Sequence, residues 1–202
     1  RVDGRQRQMC IRDSITPYYN KPNQEGLYQH FKTLAGETSL PICLYNVPGR
    51  TGVNMDAKTV VRLMNDCPNI VALKEASGNL EQAVDLLNMK SSGFRALSGD
   101  DAMTLPLMAL GFDGVISVIS NVFPKEFSSM IEYARQSDFT AARAINLRLA
   151  NMYKALFVEG NPAGIKAALH AAGVIKHNTL RLPLVPATEQ LYNQIQVFVR
   201  LS

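Results

Sequence analysis

Two rhythms of apolar residues alternate along the chain. Short, nearly continuous apolar runs are separated by stretches in which apolar residues return every three or four positions. The runs LPICLYNV (40–47), NIVALKEA (69–76), FRALSG (94–99) and GVISVIS (114–120) predict four buried strands. Between them the spacing predicts helices. The first covers roughly 24–36, with Leu27, Phe31 and Leu34 on one face; the second covers 55–66, with Asn54 as N-cap. Others cover 79–90, then 101–111 with Asp100 or Asp101 capping its start and Gly111 ending it, and 124–136 with Pro124 in its first turn. Ser14–Tyr18 reads as the tail of one earlier strand. Beyond residue 137 the strands stop, and helices over 140–157, 163–173 and 188–201 predict a C-terminal helical domain, 138–202.

Strands that are apolar throughout, each followed by a helix, imply a parallel sheet covered by helices. An open doubly wound sheet usually carries a Gly-rich phosphate loop, and no G-x-G-x-x-G or P-loop occurs here. A (β/α)8 barrel instead gathers its polar residues just after each strand. That is the pattern of Tyr45-Asn46, Lys74-Glu75 and Ser98-Gly99-Asp100-Asp101. Four strand–helix units account for about half of such a barrel, so residues 14–137 predict a partial TIM barrel within the α/β class.

Composition narrows the function classes. With 202 residues, 47% hydrophobic and 19% charged, the chain can bury a core. No run approaches the roughly 18 apolar residues of a membrane span, so no membrane partner is expected. Three cysteines and three histidines without ligand spacing give no disulfide framework and no metal site, and point to a cytoplasmic, reducing setting. Half of the net charge of +4 comes from residues 1–14, with four Arg and two Asp. The rest shows no basic face interleaved with aromatics, so no nucleic-acid partner is expected. Residues 1–13 carry neither strand nor helix rhythm and no signal-peptide apolar stretch. The change at Ser14 predicts that they are a foreign leader; a native disordered arm is the alternative.

The sharpest candidate chemistry is Lys74, which ends the apolar run Ile70–Leu73. Partial desolvation disfavours a charged amine, and a neutral amine can attack a carbonyl to form a Schiff base. The alternative is a lysine reaching to the rim or pairing with Glu75. Tyr45 and Arg50 share the strand-end loop YNVPGRTG: the phenol can relay a proton and the guanidinium can fork onto a carboxylate. Packing for Tyr45 and a solvated charge for Arg50 are the competing readings. Gly99 allows close backbone approach to a ligand. Tyr18-Tyr19 could serve a site, an interface or a core edge. Cys43 lies mid-strand, where a thiol is expected to be buried and inert.

Six motifs in order, TPYYNKP, YNVPGRTG, ALKEASGN, LSGDD, GVISV and TLRLPLVPAT, resemble the dihydrodipicolinate synthase (4-hydroxy-tetrahydrodipicolinate synthase) family. It is the lysine-pathway branch of the pyruvate-dependent class I aldolases, which include N-acetylneuraminate lyase. The resemblance runs from Ser14 to the C-terminus. It implies a TIM barrel with a C-terminal helical domain, a homotetramer of two tight dimers, and no cofactor beyond a covalent Schiff base between Lys74 and pyruvate. The implied reaction condenses pyruvate with aspartate-4-semialdehyde in lysine (diaminopimelate) biosynthesis. By resemblance, Tyr45 shuttles protons and Tyr19 reaches across the tight dimer to complete a relay. Arg50 then binds the aldehyde substrate's carboxylate, Gly99 and Ile116 line the pyruvate pocket, and Tyr18 lies near the allosteric lysine-inhibition interface. The family's Gly-Thr-Thr-Gly segment and first strands have no counterpart in this sequence, so the chain is expected to be the C-terminal two-thirds of such an enzyme. A sister aldolase acting on a sugar acid, and an inactive fragment with open sheet edges, are the alternatives.

Overall fold

The computed structural model describes residues 12–201. They fall into two units that divide between Ile116 and Ser117. The first holds five parallel strands: β1 (Arg12–Ile15), β2 (Ile42–Asn46), β3 (Ile70–Glu75), β4 (Arg95–Ser98) and β5 (Gly114–Val115). Between them run α1 (Gln24–Gly36), the short α2 (Pro48–Thr51), α3 (Ala57–Asp66), α4 (Leu80–Met89) and α5 (Thr104–Leu110). The strand order is β1-β2-β3-β4-β5. Each crossover advances to the adjacent strand and none turns back, which is how a barrel is wound; a doubly wound sheet would reverse at a switch point. The expectation of a partial (β/α)8 barrel is met.

The sheet packs its Leu44, Leu73 and Ala96 face on the helices. Leu27 and Phe31 of α1, Val60 and Leu63 of α3, and Leu86 of α4 complete that buried cluster. Asn23 caps α1 through the Gly26 N–H and Asn79 caps α4 through the Gln82 N–H. Gly111, at φ 110°, closes α5 in the left-handed region.

Several boundaries differ from the sequence-based expectation. β1 is described from Arg12 and ends at Ile15, not Tyr18, because Pro17 has no N–H to continue the ladder. Of the expected foreign leader, residues 1–13, residues 1–11 fall outside the described residues, whereas Arg12 and Asp13 open β1 in register with Ile42 and Cys43. Asp56, not Asn54, is the N-cap of α3; the Asn54 amide is engaged by Gln82 and Asp56. Helix α5 begins at Thr104 because residues 101–103 form a turn, whose Ala102 N–H bonds Asp100 Oδ1. Within GVISVIS only Gly114–Val115 is strand, and Ile119–Asn121 is a 3-10 turn.

The second unit contains α6 (Pro124–Arg135), α7 (Phe139–Ala155), α8 (Ala163–Ala171) and α9 (Glu189–Leu201). Helix α6 belongs here, ahead of the expected boundary at 137/138, because it packs along α7. Phe127 meets the Tyr153 ring edge-on at 6.3 Å, and both are buried. Helices α8 and α9 meet at His170 Nδ1 and the Tyr192 hydroxyl, 2.7 Å apart. Among the described residues no helix is long and apolar enough to cross a membrane.

Asp113, just before β5, ties the β4 edge. Its carboxylate accepts the Ala96 N–H at 2.9 Å and Arg95 Nη1 at 2.8 Å, with Lys90 Nζ at 3.7 Å. Burial pushes its pKa up, but the Ala96 N–H, the Arg95 guanidinium and the Lys90 ammonium together outweigh burial and hold it below the usual 3.8. A lowered folded-state pKa means a contribution that is full above the unfolded value and lost as pH falls through the folded one. Asp113→Asn is therefore expected to cost about 1–2 kcal/mol near neutral pH. The gap from the parent protein should close in urea melts taken well below pH 4; a gap independent of pH would contradict this account.

Candidate active site

Parallel strands bring the residues at their C-terminal ends to one rim. Register partners share a face, so Ile15, Tyr45, Lys74, Leu97 and Gly114 form one row across the sheet. This row lies on the face opposite the helices, where a barrel has its interior. Tyr45 and Lys74 are direct partners on β2 and β3. Lys74 Nζ sits 4.0 Å from the centre of the Tyr45 ring and 3.8 Å from Asp13 Oδ2. The side chain is 14% exposed. Stacking over an aromatic face holds an amine in place without a tight ion pair, and the pairing with Glu75 considered from sequence does not form, since neighbours on a strand point to opposite faces.

Tyr45 is half-buried. Burial pushes its phenol up; the Arg50 charge pulls it down, and Asp13 and Asp100 push it further up, for a net rise. The phenol therefore keeps its proton across the neutral range. Cys43, two residues earlier, is buried, and its thiol is pushed up to about 12 by desolvation, which removes it as a nucleophile.

Arg50 lies on α2, a helical turn rather than an irregular loop. Pro48 occupies the first turn, and Gly52, at φ 67°, caps it in the left-handed region. Thr51 Oγ1 bonds the Val47 and Val53 carbonyls at 3.2 and 3.0 Å and lies 3.3 Å from Thr16 Oγ1. The Arg50 side chain itself is exposed.

Gly99 follows β4 and donates its N–H to the Glu75 carbonyl at 2.7 Å. A Cβ here would lie 2.9 Å from Lys74 Cγ, 3.0 Å from Ala76 Cβ and 3.3 Å from the Glu75 carbonyl oxygen. The glycine is there for space beside the lysine stem. Ile116, half-buried, donates its N–H to the Ser98 carbonyl at 2.9 Å. Tyr45, Lys74, Gly99 and Ile116 thus stand at the ends of four consecutive strands. Tyr18 and Tyr19 do not join them; their side chains are 66% and 89% exposed, beyond the end of β1.

A second row was not singled out from sequence. Asn46, Glu75 and Ser98 are register partners on the helix-facing side and all are buried. Asn46 Nδ2 donates to Glu75 Oε2 at 3.1 Å, and Glu75 also accepts from the Ser77 N–H at 2.6 Å and from Gln82 Nε2 at 3.2 Å. The available signal was a polar residue next to each candidate at the end of an apolar strand.

The profile of the Dihydrodipicolinate synthetase family matches residues 10–201. A 4-hydroxy-tetrahydrodipicolinate synthase from Azobacteroides pseudotrichonymphae is 56% identical over 183 residues, covering 91% of this chain and 62% of that protein. The crystal structure of dihydrodipicolinate synthase from Aquifex aeolicus superposes with a TM-score of 0.90 at 41% identity, over 94% of this chain and 64% of that one. A structure described as a monomeric dihydrodipicolinate synthase variant gives 0.90 at 42%, over 93% and 63%. The chain thus spans a little under two thirds of the length of the relatives it matches. With identity this high, a match over nearly every residue and the same backbone path, the chain belongs to the Dihydrodipicolinate synthetase family.

Proposed function

We propose that the intact protein carrying this chain condenses pyruvate with aspartate-4-semialdehyde to give 4-hydroxy-tetrahydrodipicolinate and water. The observation that carries the proposal is the Lys74 amine over the Tyr45 ring at 4.0 Å, on the inner face and at the strand ends. The neutral amine attacks the pyruvate keto carbon, and loss of water gives the imine. The iminium then serves as electron sink: a methyl proton leaves, and the resulting enamine carbon attacks the aldehyde carbon of the second substrate. The second substrate's own amine then displaces Lys74 and closes the ring. No metal or organic cofactor is needed for these steps.

Tyr45 is the proton carrier, a role supported by a phenol that burial keeps protonated. Arg50 takes the carboxylate of the semialdehyde, and Gly99 and Ile116 border the pyruvate. Tyr19, almost fully exposed, suits a residue that acts in a neighbouring subunit of a homotetramer, with Tyr18 beside the lysine-inhibition interface. The cytoplasm is the proposed location.

Borohydride reduction in the presence of pyruvate, followed by peptide mass mapping of the intact protein, tests the reading. Label on the peptide bearing Lys74 is expected; label elsewhere, or none, overturns it. Gly99→Ala should slow that labelling by a factor of about ten or more, since the added methyl must displace the lysine stem. An unchanged labelling rate in that variant would mean the lysine has slack that the 2.9 Å approach denies.

A further inference from the structure

We propose that Glu75, held by Asn46 and Gln82, is a positioning residue that sets the register and aim of the Lys74–Tyr45 pair. The inference rests on the function proposed above and goes beyond it to residues on the opposite side of the sheet. Glu75 is only 3% exposed and Asn46 is fully buried. Both lie, with Ser98, on the face that carries Leu44 and Leu73 and packs on the helices. Burying polar groups there is unfavourable unless every one is hydrogen-bonded, and an apolar pair of similar volume is often no less stable. What the polar pair adds is direction.

The bonds are dense and well shared. Asn46 donates to Glu75 at 3.1 Å and to Asn54 Oδ1 at 2.9 Å, while its Oδ1 accepts the Met55 N–H at 3.0 Å. Gln82 of α4 donates to Glu75 Oε2, and Asn54 Nδ2 donates to Gln82 Oε1 at 2.8 Å. The backbone repeats the stitch: the Ala76 N–H reaches the Asn46 carbonyl at 2.8 Å and the Gly99 N–H the Glu75 carbonyl at 2.7 Å. The ends of β2, β3 and β4, the loop before α3 and the first turn of α4 are thereby fixed together.

The register needs fixing. The β2–β3 ladder shifts between Ile42 and Cys43, so that Ile42 faces Ile70 but Cys43 faces Ala72. A ladder that has already absorbed one extra residue can settle in more than one way beyond it, and a slip of one residue exchanges the two faces. Such a slip would bury Lys74 among the leucines and put Glu75 at the rim. The Asn46–Glu75 pair, directly in register, forms only in the arrangement that keeps Tyr45 opposite Lys74.

The test compares Glu75→Leu and Glu75→Gln with the parent in the intact protein, following thermal melting, kcat, KM for pyruvate and the rate of borohydride-trapped labelling at Lys74. Glu75→Leu strips the acceptor from Asn46, Gln82 and the Ser77 N–H and should melt below the parent, yet its folded fraction should still lose about 10- to 100-fold in kcat and in labelling rate, with a smaller change in KM. Glu75→Gln, which can still accept from Asn46 and Ser77, should recover most of the loss. A folded Glu75→Leu protein within twofold of the parent in kcat and labelling overturns the role. So does a loss in Glu75→Gln that merely follows its unfolded fraction, the deciding comparison if Glu75→Leu does not fold. If the parent protein itself fails to label at Lys74, the function proposed above fails and this role falls with it.

Discussion

Lys74→Ala is expected to abolish both pyruvate labelling and condensation, with turnover falling on the order of a thousandfold or more. That loss corresponds to about 4 kcal/mol of transition-state stabilisation. Alanine removes the only atom proposed to bond covalently to substrate, and no neighbour can replace it. Cys43, nearby on the same strand as Tyr45, is buried with its thiol pushed up to about 12, and the Tyr45 phenol is held protonated. Lys74→Arg separates charge from nucleophilicity: it keeps a cation near the Tyr45 ring, but a guanidinium stays protonated and does not form the imine. It should be as inactive as alanine. Neither change should greatly lower stability, because the contact with Asp13 is a loose 3.8 Å pair whose carboxylate is well exposed. Undiminished product formation by folded Lys74→Ala protein would refute the Schiff-base reading outright.

The largest effect on stability is expected at Gly164, in the first turn of α8. A Cβ there would lie 2.3 Å from the Leu156 carbonyl oxygen and 2.7 Å from its carbonyl carbon and Cα. These are backbone atoms at the end of α7, held in turn by the Leu156 N–H bond to the Met152 carbonyl at 3.0 Å. No rotamer relieves such a clash, so the two helix ends must part, and Leu156, Ile165 and Ala168 lose their packing. Gly164→Ala should cost at least about 3 kcal/mol, seen as a fall of about 10 °C in the melt with faster amide exchange in α7 and α8. Gly36→Ala is the control: nothing lies within 4 Å of its added methyl, at the last position of α1. It should be neutral or slightly stabilising. Equal melting of the two variants would show that the α7–α8 junction yields more readily than its geometry allows.

Much of this arrangement could be read from residue order, because alternation and helical spacing are strong constraints on a buried parallel sheet. Tyr45 and Lys74 end successive apolar runs, and parallel pairing brings such ends together. One misjudged boundary has a plain cause: local sequence reports which segments are apolar, but not where their partners stop. GVISVIS is apolar and β-branched, yet β4 ends at Ser98, whose carbonyl already takes the Ile116 N–H. The chain beyond winds into a 3-10 turn over Ile119–Asn121. Asn54 resembles a helix cap, but its half-buried amide is taken up by Gln82 and Asn46 instead. The sequence offers Glu75 only as a pairing partner for Lys74; its bonds to Asn46 and Gln82 are visible only once β2, β3 and α4 are laid side by side.

The base beneath Arg50 is capped at both ends while its side chain is exposed. Pro48 and Gly52 fix the two ends of α2, and Thr51 clamps it from below. A guanidinium on a long stem above such a pedestal can swing to meet acids of different length without any rebuilding of the backbone. Under the role proposed for Arg50, tolerance toward the second substrate can therefore drift through rotamer choice at a single position, with the proposed covalent chemistry left intact.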